Sequence, residues 1–295
     1  MLTPESRAAL EQAALEPPVF TPGYDIAAAR QQAREIAARA PREDVAQVED
    51  VVANGVPCRL YRPVVAAPGV VLHLHGGGFV FNDVEVHDAS ARRLANRAGR
   101  AVLSVDYRLA PEHPFPAARD DVDTVVAWLH VAAEGFGLEG PVLGHGDSAG
   151  ANLALVAALR NPGRLDALAL IYPFLDPTAR FDSHKTETEG FDPREVEWYW
   201  TQYSGGDPRL FDDADLAPLR SDKLWTLPPT FVVTAEHDPL RGEGEHLARM
   251  LAQQGVKVVA TRYLGQIHGF WRHDQVFAAA DPLMQQAAAF LASHA

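Results

Sequence analysis

The chain has 295 residues, 47% of them hydrophobic and 22% charged, which is the make-up of an ordinary globular protein. A chain this long buries about three-quarters of its unfolded surface, so disorder, collagen and coiled coil are excluded as descriptions of the whole. Its 26 basic and 39 acidic side chains leave a formal charge of −13, which repels phosphate backbones and anionic headgroups and argues against nucleic-acid or membrane-surface partners.

Thr3-Pro4-Glu5 has the marks of a helix start, with a capping hydroxyl, proline at the first helical position and an acid near the positive end of the dipole. That helix is expected to run to Glu16, where Pro17-Pro18 stops it. A second is expected from Asp25, with Ile26, Ala29, Ala33, Ile36 and Ala37 on one face and Pro41 ending it. Both precede any strand and read as an appended helical segment over 1–44, part of a cap. The stretch Met1–Pro18 lacks a basic region followed by an apolar run, no apolar stretch approaches the ~18 residues of a membrane span, and Cys58 has no partner. A reducing, cytoplasmic setting follows as an expectation, with Cys58 a small buried hydrophobe.

Val45–Asn54 and Val56–Pro63 read as strands joined by an Asn54-Gly55 hairpin turn. Apolar runs then recur at Gly69–His75, Ala101–Asp106, Pro141–Gly146, Ala167–Tyr172, Thr230–Thr234 and Val256–Tyr263. Helical stretches stand between or after them at Val86–Ala98, Ala117–Ala133, Ala149–Leu159, Leu240–Gln254 and Gln275–Ser293. Alternating β and α after an antiparallel start predicts an α/β domain with a mostly parallel, doubly wound sheet. Between Pro173 and Pro228 no strand is visible, but charges, glycines and prolines surround the aromatic cluster Trp198, Tyr199, Trp200 and Tyr203. An interval that long is usually functional. We read 176–221 as a cap insertion and 45–175 with 222–295 as the catalytic domain.

Gly146-Asp147-Ser148-Ala149-Gly150 fits G-x-S-x-G between a strand and a helix. This pattern makes a sharp turn that exposes a serine hydroxyl over a helix N-terminus. His75-Gly76-Gly77-Gly78-Phe79 follows another strand, and its bare backbone N–H groups are what an oxyanion hole needs. A phosphate loop would add the lysine of G-x-x-x-x-G-K-[ST], which is missing.

A serine nucleophile then needs an acid and a base, in the chain order Ser, Asp or Glu, His. The loops after the last two apolar runs supply Asp238 as acid and His268 as base, at the carboxyl edge where open α/β sheets bind ligands. Glu236 and His237 compete for those two roles. His73 within a strand, His145 and His273 carry no chemical argument. No H-E-x-x-H, cysteine pair or other ligand spacing calls for a metal, and nothing calls for a cofactor.

These motifs, together with Asp106–Ala117, Asp238-Pro239-Leu240 and His268-Gly269-Phe270 in that order, resemble the hormone-sensitive-lipase-like family of α/β-hydrolases, mostly bacterial carboxylesterases. The resemblance spans Val51 to the C-terminus. It implies the α/β-hydrolase fold, the triad Ser148, Asp238 and His268, and oxyanion donors at Gly77, Gly78 and Ala149. For Asp147 it suggests a hydrogen-bonding role that holds the turn. Substrate would be a small-molecule ester of short to medium acyl chain or an aryl ester, with Phe79, Trp198, Trp200 and Tyr203 walling the pocket. The same triad also serves amidases, lactonases and arylformamidases, and the fold has a non-catalytic binder in the plant gibberellin receptor, which lacks the histidine. A homodimer through the sheet edge is compatible with the resemblance.

Overall fold

The computed structural model describes residues 1–187 and 191–295; the three others fall inside the expected insertion 176–221. Helices α1 (Pro4–Ala13) and α2 (Ile26–Ala38) come first, capped by the Thr3 and Asp25 side chains. Strands β1 (Gln47–Ala53) and β2 (Val56–Arg62) follow as an antiparallel hairpin. Asn54 and Gly55 both have positive φ, 48° and 92°, which suits the right-handed twist of the flanking strands. Then come β3 (Val70–Leu74), α3 (Asp88–Ala98), β4 (Ala101–Val105), α4 (Ala117–Ala132), β5 (Val142–Asp147), α5 (Ala149–Arg160) and β6 (Ala167–Ile171). The insertion holds α6 (Ser183–Thr186) and α7 (Pro193–Ser204) with short 3-10 turns. The chain closes with β7 (Thr230–His237), α8 (Arg241–Gln253), β8 (Val258–Ile267) and α9 (Ala280–Ala292).

The eight strands form one sheet in the order β1-β2-β4-β3-β5-β6-β7-β8. From β4 onward neighbours run parallel, and β2 pairs with both β1 and β4 antiparallel. Every residue of β3, β4, β5 and β6 is buried, because helices cover both faces. One core lies under α4, α5 and α8, with the aromatic side of α7 joined to it; the other lies under α3 and α9. Strand order reverses between β3 and β5, since the chain leaves β3 for β4 on one side and reaches β5 on the other. That switch point opens a crevice at the carboxyl edge, where the glycine loop and the serine turn lie side by side.

Three helices depart from expectation. Helix α9 starts at Ala280 rather than near Gln275, because Pro282 lacks an N–H and is tolerated only in a first turn. The two N-terminal helices, expected together in a cap, take different places. Helix α1 lies against β8, with the Thr3 N–H donating to the Gly265 carbonyl at 3.1 Å and Leu2 and Leu10 packed on the α3/α9 core. The stretch after it reaches the insertion: Phe20 lies under the Arg194 guanidinium at 4.4 Å, and Tyr24 meets Phe81 edge-on. Arg30 of α2 then ties this segment to the glycine loop by donating to the carbonyls of Val80 and Ala110, both at 2.8 Å, and pairing with Glu112.

Candidate active site

Ser148 sits between β5 and α5 at φ 54°, ψ −118°, a backbone conformation unfavourable for a residue with a side chain. The turn is possible because its neighbours are small. A Cβ on Gly150 would strike the Leu74 carbonyl, so only glycine lets α5 start this close to β3. The strain leaves the hydroxyl at the carboxyl edge of the sheet, aimed at the loop after β8. There Ser148 Oγ donates to His268 Nε2 at 3.0 Å, and His268 Nδ1 donates to Asp238 Oδ2 at 2.8 Å. Asp238 is fully buried, and its other oxygen accepts the Leu240 N–H at 2.8 Å, so the carboxylate is oriented from both sides.

The two competing residues are engaged elsewhere. Glu236 accepts the Gly265 N–H at 2.7 Å, and His237 pairs with Glu187 at 3.1 Å. Both belong to the end of β7, where the pairing with β8 shifts register between Ala235 and His237.

Gly77 and Gly78 have φ of 133° and 60°, the left-handed region. A Cβ at Gly78 would run into the Tyr199 ring. Among the described residues no backbone carbonyl accepts from the N–H of Gly77, Gly78 or Ala149, and both glycines line the same cavity as Ser148 and His268. The loop is pinned from beneath: the Tyr107 hydroxyl donates to the His75 carbonyl at 2.6 Å, Asn82 Nδ2 to the Gly76 carbonyl at 2.9 Å, and the Gly76 N–H to Asp147 Oδ1 at 2.9 Å. Asp147 thus couples the two halves of the crevice, the hydrogen-bonding role expected of it. Burial raises its pKa.

The cavity above Ser148 measures about 350 Å³, at the small end for ligand sites. Its walls correct the expected aromatic set. Phe79, Trp200 and Tyr203 are buried in the core behind the wall, Phe79 stacked on Tyr203 at 3.7 Å and Trp200 against Phe174 at 4.3 Å. Trp198 lies outside, stacked on Phe81 at 6.1 Å. The reason is helical phase. On α7 the stripe Val196, Trp200, Tyr203 turns to the core, and Glu195 and Tyr199, four apart, turn to the cavity. Phe81, Phe174 and Phe191 complete that wall, and Val19, Tyr24, Ala29 and Ala33 bring the N-terminal segment to its rim. Tyr199 belongs to the aromatic cluster visible in the sequence, but nothing there marks it or Glu195 as a wall residue; the i, i+4 spacing is the available signal, and the residues alone do not say which stripe faces inward.

Behind the nucleophile turn lies a buried histidine cluster that sequence spacing did not reveal. His73 Nδ1 meets His145 Nδ1 at 3.0 Å and His73 Nε2 meets His87 Nδ1 at 3.3 Å. Burial holds His145 down to about 3 and His75 to about 4, and lowers His73 and His87 as well, so these rings are neutral. His73, His87 and Asp147 bring ligand atoms within 4.8 Å of one another, although they come from three separate elements. Neutral imidazoles and a carboxylate are zinc-type donors, but here the two rings occupy each other as hydrogen-bond partners.

Strand order, a serine on a strained strand-to-helix turn, and an acid and a base on the two following loops define an α/β-hydrolase. The comparisons agree. The model of a family described as having the alpha/beta hydrolase fold matches residues 71–272. A carboxylic ester hydrolase, LipN, of Mycobacterium tuberculosis is 38% identical over 268 residues, covering 83% of this chain and 70% of its own. An arylesterase of Saccharolobus solfataricus is 32% identical over 260 residues, covering 84% and 85%. Among solved structures, the hyperthermophilic esterase of the archaeon Pyrobaculum calidifontis superposes with a TM-score of 0.90 at 36% identity, covering 99% of this chain and 98% of that one. The chain belongs to the hormone-sensitive-lipase-like family of α/β-hydrolases.

Proposed function

We propose that this protein is a serine carboxylesterase acting on short- to medium-chain acyl esters and aryl esters. The observation that carries the reading is the hydrogen-bonded relay Ser148–His268–Asp238 in a cavity walled by aromatic rings. His268 takes the proton of Ser148 as the hydroxyl attacks the ester carbonyl. Asp238 holds the imidazole in the tautomer that leaves Nε2 free to accept, and stabilises the imidazolium that forms. Negative charge on the former carbonyl oxygen is met by the N–H groups of Gly77, Gly78 and Ala149, each donor contributing about 3 kcal/mol by analogy with single-donor deletions. His268 returns its proton to the departing alcohol. Water then attacks the acyl-serine with His268 again as base, releasing the acid.

The named relatives support the ester bond as the target: the ethyl acetate hydrolase of Pseudomonas putida is 34% identical over 238 residues. A cavity of about 350 Å³ favours short and medium chains over long lipid chains. No helix among the described residues is long and apolar enough to cross a membrane, and with its single buried cysteine we place the enzyme in the cytoplasm. If it dimerises, the sheet edge that β8 forms is the surface we assign to it.

The deciding experiment is release of nitrophenol from its butyrate ester by the wild type and by Ser148→Ala. Turnover that disappears in a folded mutant is expected; a mutant at half the wild-type rate overturns the assignment. A nitrophenyl ester series should favour acyl chains below about twelve carbons, and a preference for longer ones contradicts the size of the cavity.

A further inference from the structure

One corner of the catalytic cavity is built differently from the rest. Tyr24, Phe81, Tyr199 and Phe191 stand there with their rings turned across one another. Tyr24 and Phe81 are 6.3 Å apart at 81°, Phe81 and Tyr199 6.0 Å at 88°, and Phe191 and Tyr199 6.1 Å at 69°. All four line the cavity. Four rings lining one cavity surround its contents with aromatic surface, and an aromatic π face attracts alkylammonium groups.

Glu195, one helical turn before Tyr199, lines the same cavity. Among the described residues its carboxylate has neither a hydrogen bond nor an ion pair, and only its backbone N–H is engaged, donating to the Asp192 carbonyl at 2.8 Å. Its nearest charges are Asp192 and Arg194, and those two are bound to each other at 2.7 Å. Burial and the Asp192 charge push the Glu195 carboxyl up to about 7, as expected of an acid that lacks a counter-ion. The other cation at the cavity, Arg272, turns its Nε to His273 at 3.1 Å, and its side chain also borders the neighbouring hollow beside Ala89 and Ser90. It therefore does not serve Glu195. The formal charge of −13 adds a long-range attraction for cations.

We propose that Glu195 and the four rings form a subsite for an alkylammonium group, so that the esters this enzyme prefers carry a positive charge in the part of the substrate held there. The inference rests on the ester-hydrolase reading of the site and names a substrate class for it. A quaternary ammonium buries its methyl groups against the rings and its charge faces the carboxylate. A neutral group of the same shape gains only the burial and leaves Glu195 uncompensated in a desolvated corner.

The test pairs butyrylcholine with its neutral isostere, 3,3-dimethylbutyl butanoate. Both are titrated calorimetrically at pH 8 into Ser148→Ala protein, which cannot consume them. Butyrylcholine should bind about tenfold more tightly than the isostere. Adding Glu195→Gln should narrow the difference to within about threefold, and Glu195→Asp should keep most of it. Glu197→Gln removes an exposed acid two residues along the same helix, so it changes net charge equally and should leave the preference intact. Equal binding of the two esters, no binding of butyrylcholine, or equal losses in the Glu195→Gln and Glu197→Gln proteins overturn the subsite. Hydrolysis of nitrophenyl butyrate by the wild type reports separately on the ester reading. Turnover without cation preference removes the subsite alone, and cation preference without turnover removes the esterase reading alone.

Discussion

Two side chains of similar chemistry, Phe79 and Tyr199, separate stability from recognition. Phe79 is fully buried between Tyr203 and Phe174, with no face on the cavity. Phe79→Ala should therefore cost about 3–5 kcal/mol of stability, read as a fall in the urea midpoint. Tyr199 forms part of the cavity wall, so Tyr199→Leu should raise KM for aryl esters several-fold with a much smaller change in that midpoint. Reversed results would mean that the wall is assigned to the wrong stripe of α7. Asp238→Asn should lower kcat by about three to four orders of magnitude and leave the fold intact, because the amide turns the imidazole to the wrong tautomer; a loss below tenfold would remove Asp238 from the relay. At this scale the chemistry was legible and the recognition was not. Ser148, Asp238 and His268 stand out because each follows an apolar strand in the order that the topology demands. The roles of Trp200 and Tyr199 depend on a rotation of one helix that no local pattern declares.

Among the elements, α2 has the clearest dual role. Its Arg30 reaches the Val80 carbonyl, two residues past the paired glycines Gly77 and Gly78, as well as Ala110 and Glu112. A guanidinium is suited to such a task, because its planar fork holds several acceptors at once. Arg30→Lys keeps the charge but loses the fork. We expect it to cost about 2 kcal/mol of stability and to lower kcat/KM on nitrophenyl butyrate through a looser glycine loop. Unchanged kcat/KM would show that the loop holds itself. Most strands and helices were legible from apolar runs and their punctuation, within a few residues at each end. The placement of α1 was not, since its contact with β8 joins residues more than 250 positions apart (Thr3 to Gly265) and rests on a backbone hydrogen bond that no side chain announces.

Across the whole molecule, the buried histidines make stability depend on acidity. In the unfolded chain each titrates near about 6.5, but in the folded protein His145 is held down to about 3 and His75 to about 4. Below about 6.5 the unfolded state thus binds more protons than the folded one, and stability falls as pH falls. Each such group removes about 1.4 kcal/mol per pH unit until its folded pKa is reached. Asp106, Asp147, Glu195 and Glu243, raised by burial, act in the opposite sense: their contribution is present at low pH and is lost as pH rises. With His73, His87, His184, His246 and His273 also lowered by burial, the histidines outnumber them over the range below neutrality. Thermal unfolding followed from pH 8 to pH 4.5 should show a steep fall in Tm beginning near about pH 6, and a flat profile would contradict the buried, neutral cluster. This dependence was hidden in the sequence, where His73 and His145 are 72 residues apart and meet because β3 and β5 pair, and His87 joins them from the start of α3.

The position of the triad along the chain also sets a schedule for synthesis. Ser148 is made 120 residues before His268, the proposed base, which follows directly on β8, an edge strand of the sheet. Helix α1, made first, has its docking partner in that same strand. Domains fold as units, so the proposed nucleophile meets its proposed base only after β8 has been made. One pairing, β8 onto β7, both brings His268 to Ser148 and gives the first helix its seat.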